Sequence, residues 1–175
     1  MTAPTWWIRP LRPDEEALLG DLLAAVSRWV RDGGYPGAWP IPFPMERIRP
    51  RIAAGDVYLA GPAGGGAVAT ITLQWDDPPV WGERPPDAGY VHRLAVAPSV
   101  RGAGWGRSLM AWAEAQTRAR GRPWLRLDCA AENPRIRRYY AELGFREVGA
   151  RVVNGLALTQ LERWIGRGPE PASSP

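Results

Sequence analysis

Arg101-Gly102-Ala103-Gly104-Trp105-Gly106, continued by Arg107 and Ser108, sets a glycine-rich turn between a predicted strand and a predicted helix. A helix start carries N–H groups with no partner inside the helix and the positive end of the helix dipole. Such a site binds phosphate without needing a charged side chain. Glycines at 102, 104 and 106 allow positive φ and let a ligand approach the backbone closely, while Arg101 and Arg107 add charge on either side. Alone, the turn licenses only an anion site, and a ligand-free glycine turn is its competing reading. A second rival is the dinucleotide fingerprint. Asp128 ends the next strand about 20 residues on, where that motif places its acid. Two features count against this rival: Arg107 stands where the third small residue belongs, and only one strand-helix-strand unit follows.

Outward from the turn, the chain alternates strands and helices. A central strand is expected from about Gly89 to Val96, and a helix from about Trp105 to Arg120, with Trp105, Leu109, Trp112 and Ala113 on one side. Gly121 and Pro123 stop that helix. A strand Trp124–Cys129 follows, then a helix from Pro134 to about Leu143, capped by Asn133 with Pro134 at its first position. Asn154-Gly155 marks a tight hairpin between Phe145–Val153 and Leu156–Trp164. Toward the N-terminus the pattern predicts a strand at Trp6–Arg9. A helix from Pro13 to Gly33 follows, with Leu18, Leu19, Leu22, Leu23, Val26 and Val30 at helical spacing. A loop at 33–44 with Tyr35, Trp39 and Phe43 leads to an irregular short helix near Met45–Ala54. Strands are expected at Asp56–Ala60 and Ala67–Trp75, and a long loop at 76–88. The sum is a mixed α/β fold: a mostly antiparallel sheet of six to seven strands with helices on both faces. The expected organisation is one domain over 1–165 and a disordered tail over 166–175.

Composition removes several function classes. One histidine, His92, and one cysteine, Cys129, leave no zinc site of the HExxH or Cys/His type, and no metal is expected. All 22 basic residues are arginine, which excludes a Schiff-base lysine and the lysine-bearing phosphate loop. The net charge of +4 is modest and spread along the chain, with no aromatic-plus-basic motif, so no nucleic-acid partner is expected. The lack of a long apolar run and of a signal-peptide layout predicts no membrane partner and a cytoplasmic location.

The second informative stretch is Asn133-Pro134-Arg135-Ile136-Arg137-Arg138-Tyr139-Tyr140-Ala141-Glu142-Leu143-Gly144-Phe145. Leu94-Ala95-Val96-Ala97-Pro98, then Arg101-x-x-Gly104-x-Gly106, then Asn133 with Tyr140 seven residues on and Leu143-Gly144-Phe145, resembles the GCN5-related N-acetyltransferase (GNAT) superfamily. The likeness is strong from about residue 90 to 148. It implies acetyl-CoA as acetyl-donor cosubstrate, and a primary amine of a small molecule or protein as acceptor.

By the same resemblance, the backbone of Leu94, Ala95 and Val96 would pair with the pantetheine arm. The amides of Gly102, Ala103, Gly104, Trp105, Gly106 and Arg107, with Ser108 and the flanking Arg101, would hold the pyrophosphate. Asn133 would bond the pantetheine region, and Tyr140 would sit near the sulfur and protonate the departing thiolate. In this chemistry the amine attacks the thioester directly, so no enzyme nucleophile is needed, but the amine must lose a proton. His92 is one candidate base; a structural histidine is the alternative. Alternation puts it on the face of Leu94 and Val96. Asp76, Asp77, Glu83 and Asp87 are further candidates for base or amine-binding acid. Tyr139 and Cys129 read as packing residues. The rings at 35, 39 and 43 suggest either an apolar or cation-binding acceptor wall or a loop pinned by its aromatics. The tryptophans allow for a homodimer face. A non-catalytic acyl-CoA-binding or regulatory module on the same fold is the alternative function.

Overall fold

The computed structural model describes residues 5–170. Seven strands and five helices follow one another as β1 (Trp6–Pro10), α1 (Glu16–Asp32), α2 (Arg49–Ala53), β2 (Val57–Pro62), β3 (Ala69–Gln74), α3 (Pro78–Trp81), β4 (Ala88–Val96), α4 (Trp105–Ala119), β5 (Trp124–Ala130), α5 (Pro134–Glu142), β6 (Arg146–Val153) and β7 (Leu156–Trp164). The strands form one sheet in the order β1-β2-β3-β4-β5-β7-β6. β1–β2, β2–β3, β5–β7 and β6–β7 pair antiparallel, whereas β4 and β5 pair parallel. Parallel neighbours need a long crossover, and α4 supplies it. The mixed, mostly antiparallel sheet is the one expected. No helix among the described residues is long and apolar enough to cross a membrane.

The chain groups into two compact units, Met1–Gln74 with His92–Leu109, and Trp75–Val91 with Met110–Pro175. In the first, the meander β1-β2-β3 meets the apolar stripe of α1. Leu19 and Leu23 pack with Leu11, Ile48, Ile52, Val57 and Leu59. Ala95 of β4 and Phe43 of the 33–44 loop belong to the same cluster, with Trp39 packed against it. Before α1, Pro13–Glu15 form a 3₁₀ turn. Arg9 donates a two-bond fork to Glu15, both bonds 2.7 Å, and the Arg12 backbone N–H adds a third at 3.0 Å. The Arg9 fork and the Arg12 N–H hold the Glu15 carboxyl far below the ordinary range, against the opposing effect of burial.

In the second unit, β5, β7 and β6 build an antiparallel ladder. Its hairpin turn places Asn154 and Gly155 at φ 50° and 78°, the positive values a two-residue primed turn requires. The 76–88 stretch departs from expectation: Pro78–Trp81 form a single helical turn, closed by the Trp81 N–H on the Asp77 carbonyl at 2.8 Å. Two prolines at its start preset φ and give up no needed N–H. Trp81 packs with Val80, Ala88 and Tyr90. Arg126, which alternation sends to the opposite side from Leu125 and Leu127, is nonetheless buried. Asp87 at 2.8 Å, Glu162 at 3.2 Å and the Tyr90 hydroxyl at 3.1 Å satisfy its guanidinium. Past β7, residues 166–170 carry neither helix nor strand. Trp164 donates its indole N–H to the Gly168 carbonyl, and Glu170 pairs with Arg146. The rest of the expected tail, 171–175, lies outside the described residues.

Candidate active site

Most of the expected site residues fall in the first unit, on one continuous run of chain. Leu94, Ala95 and Val96 end β4; the 3₁₀ turn Pro98–Val100 follows, then the glycine turn, then α4. Two short bonds fold the connection: the Val100 N–H reaches the Ala97 carbonyl at 3.1 Å, and the Ala97 N–H reaches the Val68 carbonyl at 2.8 Å. The first-turn amides of α4, at Trp105, Gly106 and Arg107, have no carbonyl within the helix to pair with. The Ser108 N–H takes up the Gly104 carbonyl at 3.0 Å and starts the helical ladder.

The turn uses its glycines unequally. Gly102 and Gly104 stand at φ +80° and +84°, where L side chains are disfavoured, and a Cβ at either would meet nothing within 4 Å. Both the backbone shape and the open space in front of it therefore depend on glycine. Gly106 does not use that freedom: it sits in the first turn of α4 and is not at positive φ. The side chain at 101 is also specific. The Arg101 guanidinium lies 3.5 Å from the centroid of the Trp29 ring, at the C-terminal end of α1. Trp105 meets the Trp6 ring edge-on at 6.2 Å.

Arg93 interrupts β4 with φ +48°, one of two non-glycine residues at positive φ among those described. A left-handed residue breaks the period of two, so alternation does not assign the face of His92 as it was expected to. The Arg93 guanidinium stacks 5.8 Å from the Phe43 ring. In the second unit, the parallel β4–β5 ladder covers Ala88–Val91 against Trp124–Leu127. Leu94, Ala95 and Val96 thus lie beyond that ladder.

The second unit holds Asn133 and Tyr140. Asn133 caps α5, its side-chain oxygen accepting the Ile136 N–H at 3.2 Å. Tyr140 is buried and its ring meets Tyr139 and Phe145 edge-on, at 5.2 and 5.9 Å. Burial, reinforced by Tyr139, Cys129 and Asp128, drives its hydroxyl far above the ordinary phenol range. Tyr140 is therefore a neutral phenol in the folded chain. Burial and the neighbouring Asp128 and Glu147 charges push the Cys129 thiol up to about 11, which keeps it from acting as a nucleophile. Of the candidate acids, Asp87 is held by Arg126, and the buried Asp77 has a carboxylate oxygen within 4.8 Å of one on Asp128.

A groove of about 450 Å³ runs beside the N-terminal half of α1, lined by Ala17, Gly20, Asp21, Ile41, Phe43 and Met45 among others. Of the loop rings, Phe43 is buried in the core, Trp39 packs against it, and Tyr35 stacks on Trp29 at 5.7 Å. These contacts pin the loop.

A model of the acetyltransferase (GNAT) family matches residues 24–145, a span that includes the pinned loop, the glycine turn and α5. The chain belongs to this family. An uncharacterized N-acetyltransferase of Bacillus subtilis (strain 168), YesJ, is 28% identical over 145 residues, covering 78% of this chain and 79% of that protein. A GNAT-family acetyltransferase structure from Listeria monocytogenes 4b F2365 superposes with a TM-score of 0.72 at 24% identity, covering 93% of this chain and 99% of that one. The PaiA N-acetyltransferase of Thermoplasma acidophilum, solved in complex with coenzyme A, gives 0.69 at 18% identity, covering 94% and 99%. At those identities the two structures speak to the GNAT fold. Trp29, Trp6 and Arg93 escape a sequence reading of this GNAT chain. Each acts through a partner far along the sequence or through its backbone angle, and neither leaves a local pattern.

Proposed function

We propose that this protein transfers the acetyl group of acetyl-CoA to a primary amine of a small molecule or protein. The observation that carries the reading is the Gly102–Gly104 backbone: two positive-φ glycines opening onto empty space at the start of α4, directly after β4. Its Gly102 and Gly104 amides, with those of Trp105, Gly106 and Arg107 and the Ser108 hydroxyl, hold the cofactor's pyrophosphate, while the Ala103 N–H donates to the Val100 carbonyl at 3.4 Å until the ligand draws it away. The complex of PaiA N-acetyltransferase with coenzyme A supports the choice of cofactor. Leu94–Val96, beyond the β4–β5 ladder, offers backbone groups to the pantetheine arm and an N–H to the oxyanion. Asn133 contacts the pantetheine region.

The reaction needs no covalent enzyme intermediate. A neutral amine adds to the thioester carbonyl, the tetrahedral intermediate collapses, and the sulfur leaves as thiolate. His92 takes the amine's proton and Tyr140 gives one to the thiolate. Burial keeps the Tyr140 hydroxyl protonated, so its proton is in place when the thiolate forms.

The test is turnover with acetyl-CoA and an amine library, followed by release of free thiol. Thiol release with at least one amine, and an acetylated product by mass, is the expected result. Coenzyme A binding without thiol release across the library would overturn the enzyme reading in favour of a non-catalytic acyl-CoA-binding module.

A further inference from the structure

Arg101 opens the glycine turn, yet its side chain does not lie along the turn. It reaches back to α1, where its guanidinium carbon sits 3.5 Å from the centroid of the half-buried Trp29 ring. That is the shortest arginine–ring separation among the described pairs; the next, Arg120 over Trp75, is 3.9 Å. Trp29 also meets Tyr35, with ring centroids 5.7 Å apart and planes 32° from parallel. Arg101 and Tyr35 both meet the Trp29 ring, and the Arg101 contact ties the turn to the end of α1.

The two faces of a guanidinium do different work from its edge. Stacking engages the π face, whereas the five N–H donors point outward in the plane. An arginine held flat on a tryptophan keeps its donors for a phosphate. It also gives up less side-chain freedom when a ligand arrives, because that freedom is already lost. Arg101 is exposed, so the rest of its guanidinium faces solvent beside the glycine turn.

We propose that Trp29 is a positioning residue for cofactor recognition: it holds Arg101 by cation–π stacking so that the guanidinium edge addresses a phosphate of coenzyme A at the glycine turn. This rests on the reading of that turn as the cofactor site. Trp29 touches no cofactor atom in this scheme and acts only through Arg101.

Coenzyme A affinity is measured by calorimetry for wild type, Trp29→Leu, Arg101→Ala and the double variant, with melting temperatures taken in parallel. An exposed cation–π contact corresponds to about a two- to fivefold change in affinity. Trp29→Leu should weaken coenzyme A binding by about that factor, and Trp29→Phe, which keeps a ring face, should recover most of it. In the Arg101→Ala background, Trp29→Leu should add nothing. Additive losses would overturn the proposal, as would wild-type affinity in a folded Trp29→Leu. Failure of the wild type to bind coenzyme A at all would instead remove the cofactor reading, and the proposal with it. A readout independent of any Trp29 variant is the Arg101 Nε–H resonance, identified by its loss in Arg101→Ala. Its ring-current shift should persist when coenzyme A is bound; its collapse on binding would mean that Arg101 leaves Trp29, and would overturn the proposal.

Discussion

Replacing Gly104 by alanine separates the backbone cost of the turn from its ligand function. Gly104 stands at φ +84°, and a Cβ built there meets no protein atom within 4 Å. Stability therefore suffers only the left-handed penalty, about 1–2 kcal/mol, with no clash to enlarge it. For a chain of this size, 1 kcal/mol moves Tm by about 2–4 °C, so Gly104→Ala should melt about 2–8 °C lower. Gly121 offers a matched control: φ +71°, nothing within 4 Å, at the far end of α4. Gly121→Ala should lose a similar amount of Tm. The two variants should part company in cofactor binding. The methyl at 104 enters the open space before the α4 amides, or the backbone flips to relieve strain; either route loses phosphate bonds. Coenzyme A affinity should fall at least about tenfold, the equivalent of roughly one charge-assisted hydrogen bond, while Gly121→Ala keeps wild-type affinity. Calorimetric titration on both folded variants decides it. If Gly104→Ala binds coenzyme A as tightly as Gly121→Ala, the turn is not the pyrophosphate site.

Tyr140→Phe should lower kcat by about 100-fold, the scale of one lost proton donor, and leave coenzyme A affinity nearly unchanged because the ring contacts with Tyr139 and Phe145 survive. Unaltered kcat would remove Tyr140 as the acid. The fold also favours the protonated phenol, so above about pH 10 the unfolded chain loses this proton first and the native state loses stability. Denaturation series from pH 9 to 11 should show wild type losing more stability than Tyr140→Phe. Glu15 has the opposite sign: its depressed carboxyl contributes stability above the ordinary value of 4.5 and loses it as pH falls further. The Tm gap between wild type and Glu15→Gln should shrink as pH is lowered from 6 to 3, and a constant gap would show that the Arg9 fork contributes nothing as an ion pair.

What the sequence makes legible is what local chemistry determines. Asn154-Gly155 reads as a primed hairpin because few other residues tolerate two successive positive φ values, and both are found. Asn133-Pro134 reads as a helix start because cap and proline act within a few residues, and the cap bond is present. The order of strands around α4 follows from the need for a long crossover between parallel neighbours. By contrast, Pro78–Trp81 is too short to show a helical period. Gly106 and Gly104 look alike on paper, and only the start of α4 tells their backbones apart. Arg126 looks like a solvent-facing strand residue until Asp87 and Glu162, distant in sequence, arrive to neutralise it. The Trp29–Arg101 contact likewise joins residues from opposite sides of the pinned loop and three strands. In the site, the motifs at 101–106 and 133–145 are visible, and the supports behind them are not.

The arginine–ring contacts have a chemical consequence. Cations held on Trp29, Trp75, Trp81 and Trp124 are guanidinium groups throughout, and the sequence contains no lysine. A guanidinium keeps its proton at any working pH and is a poor nucleophile, whereas a lysine ε-amine is a target of acetylation. A scaffold whose positive side chains are all arginine can stand beside an acyl thioester without its own surface ammonium groups being capped. Its charge, and the contacts that depend on that charge, are thereby shielded from slow covalent erosion by the acyl donor of the proposed reaction.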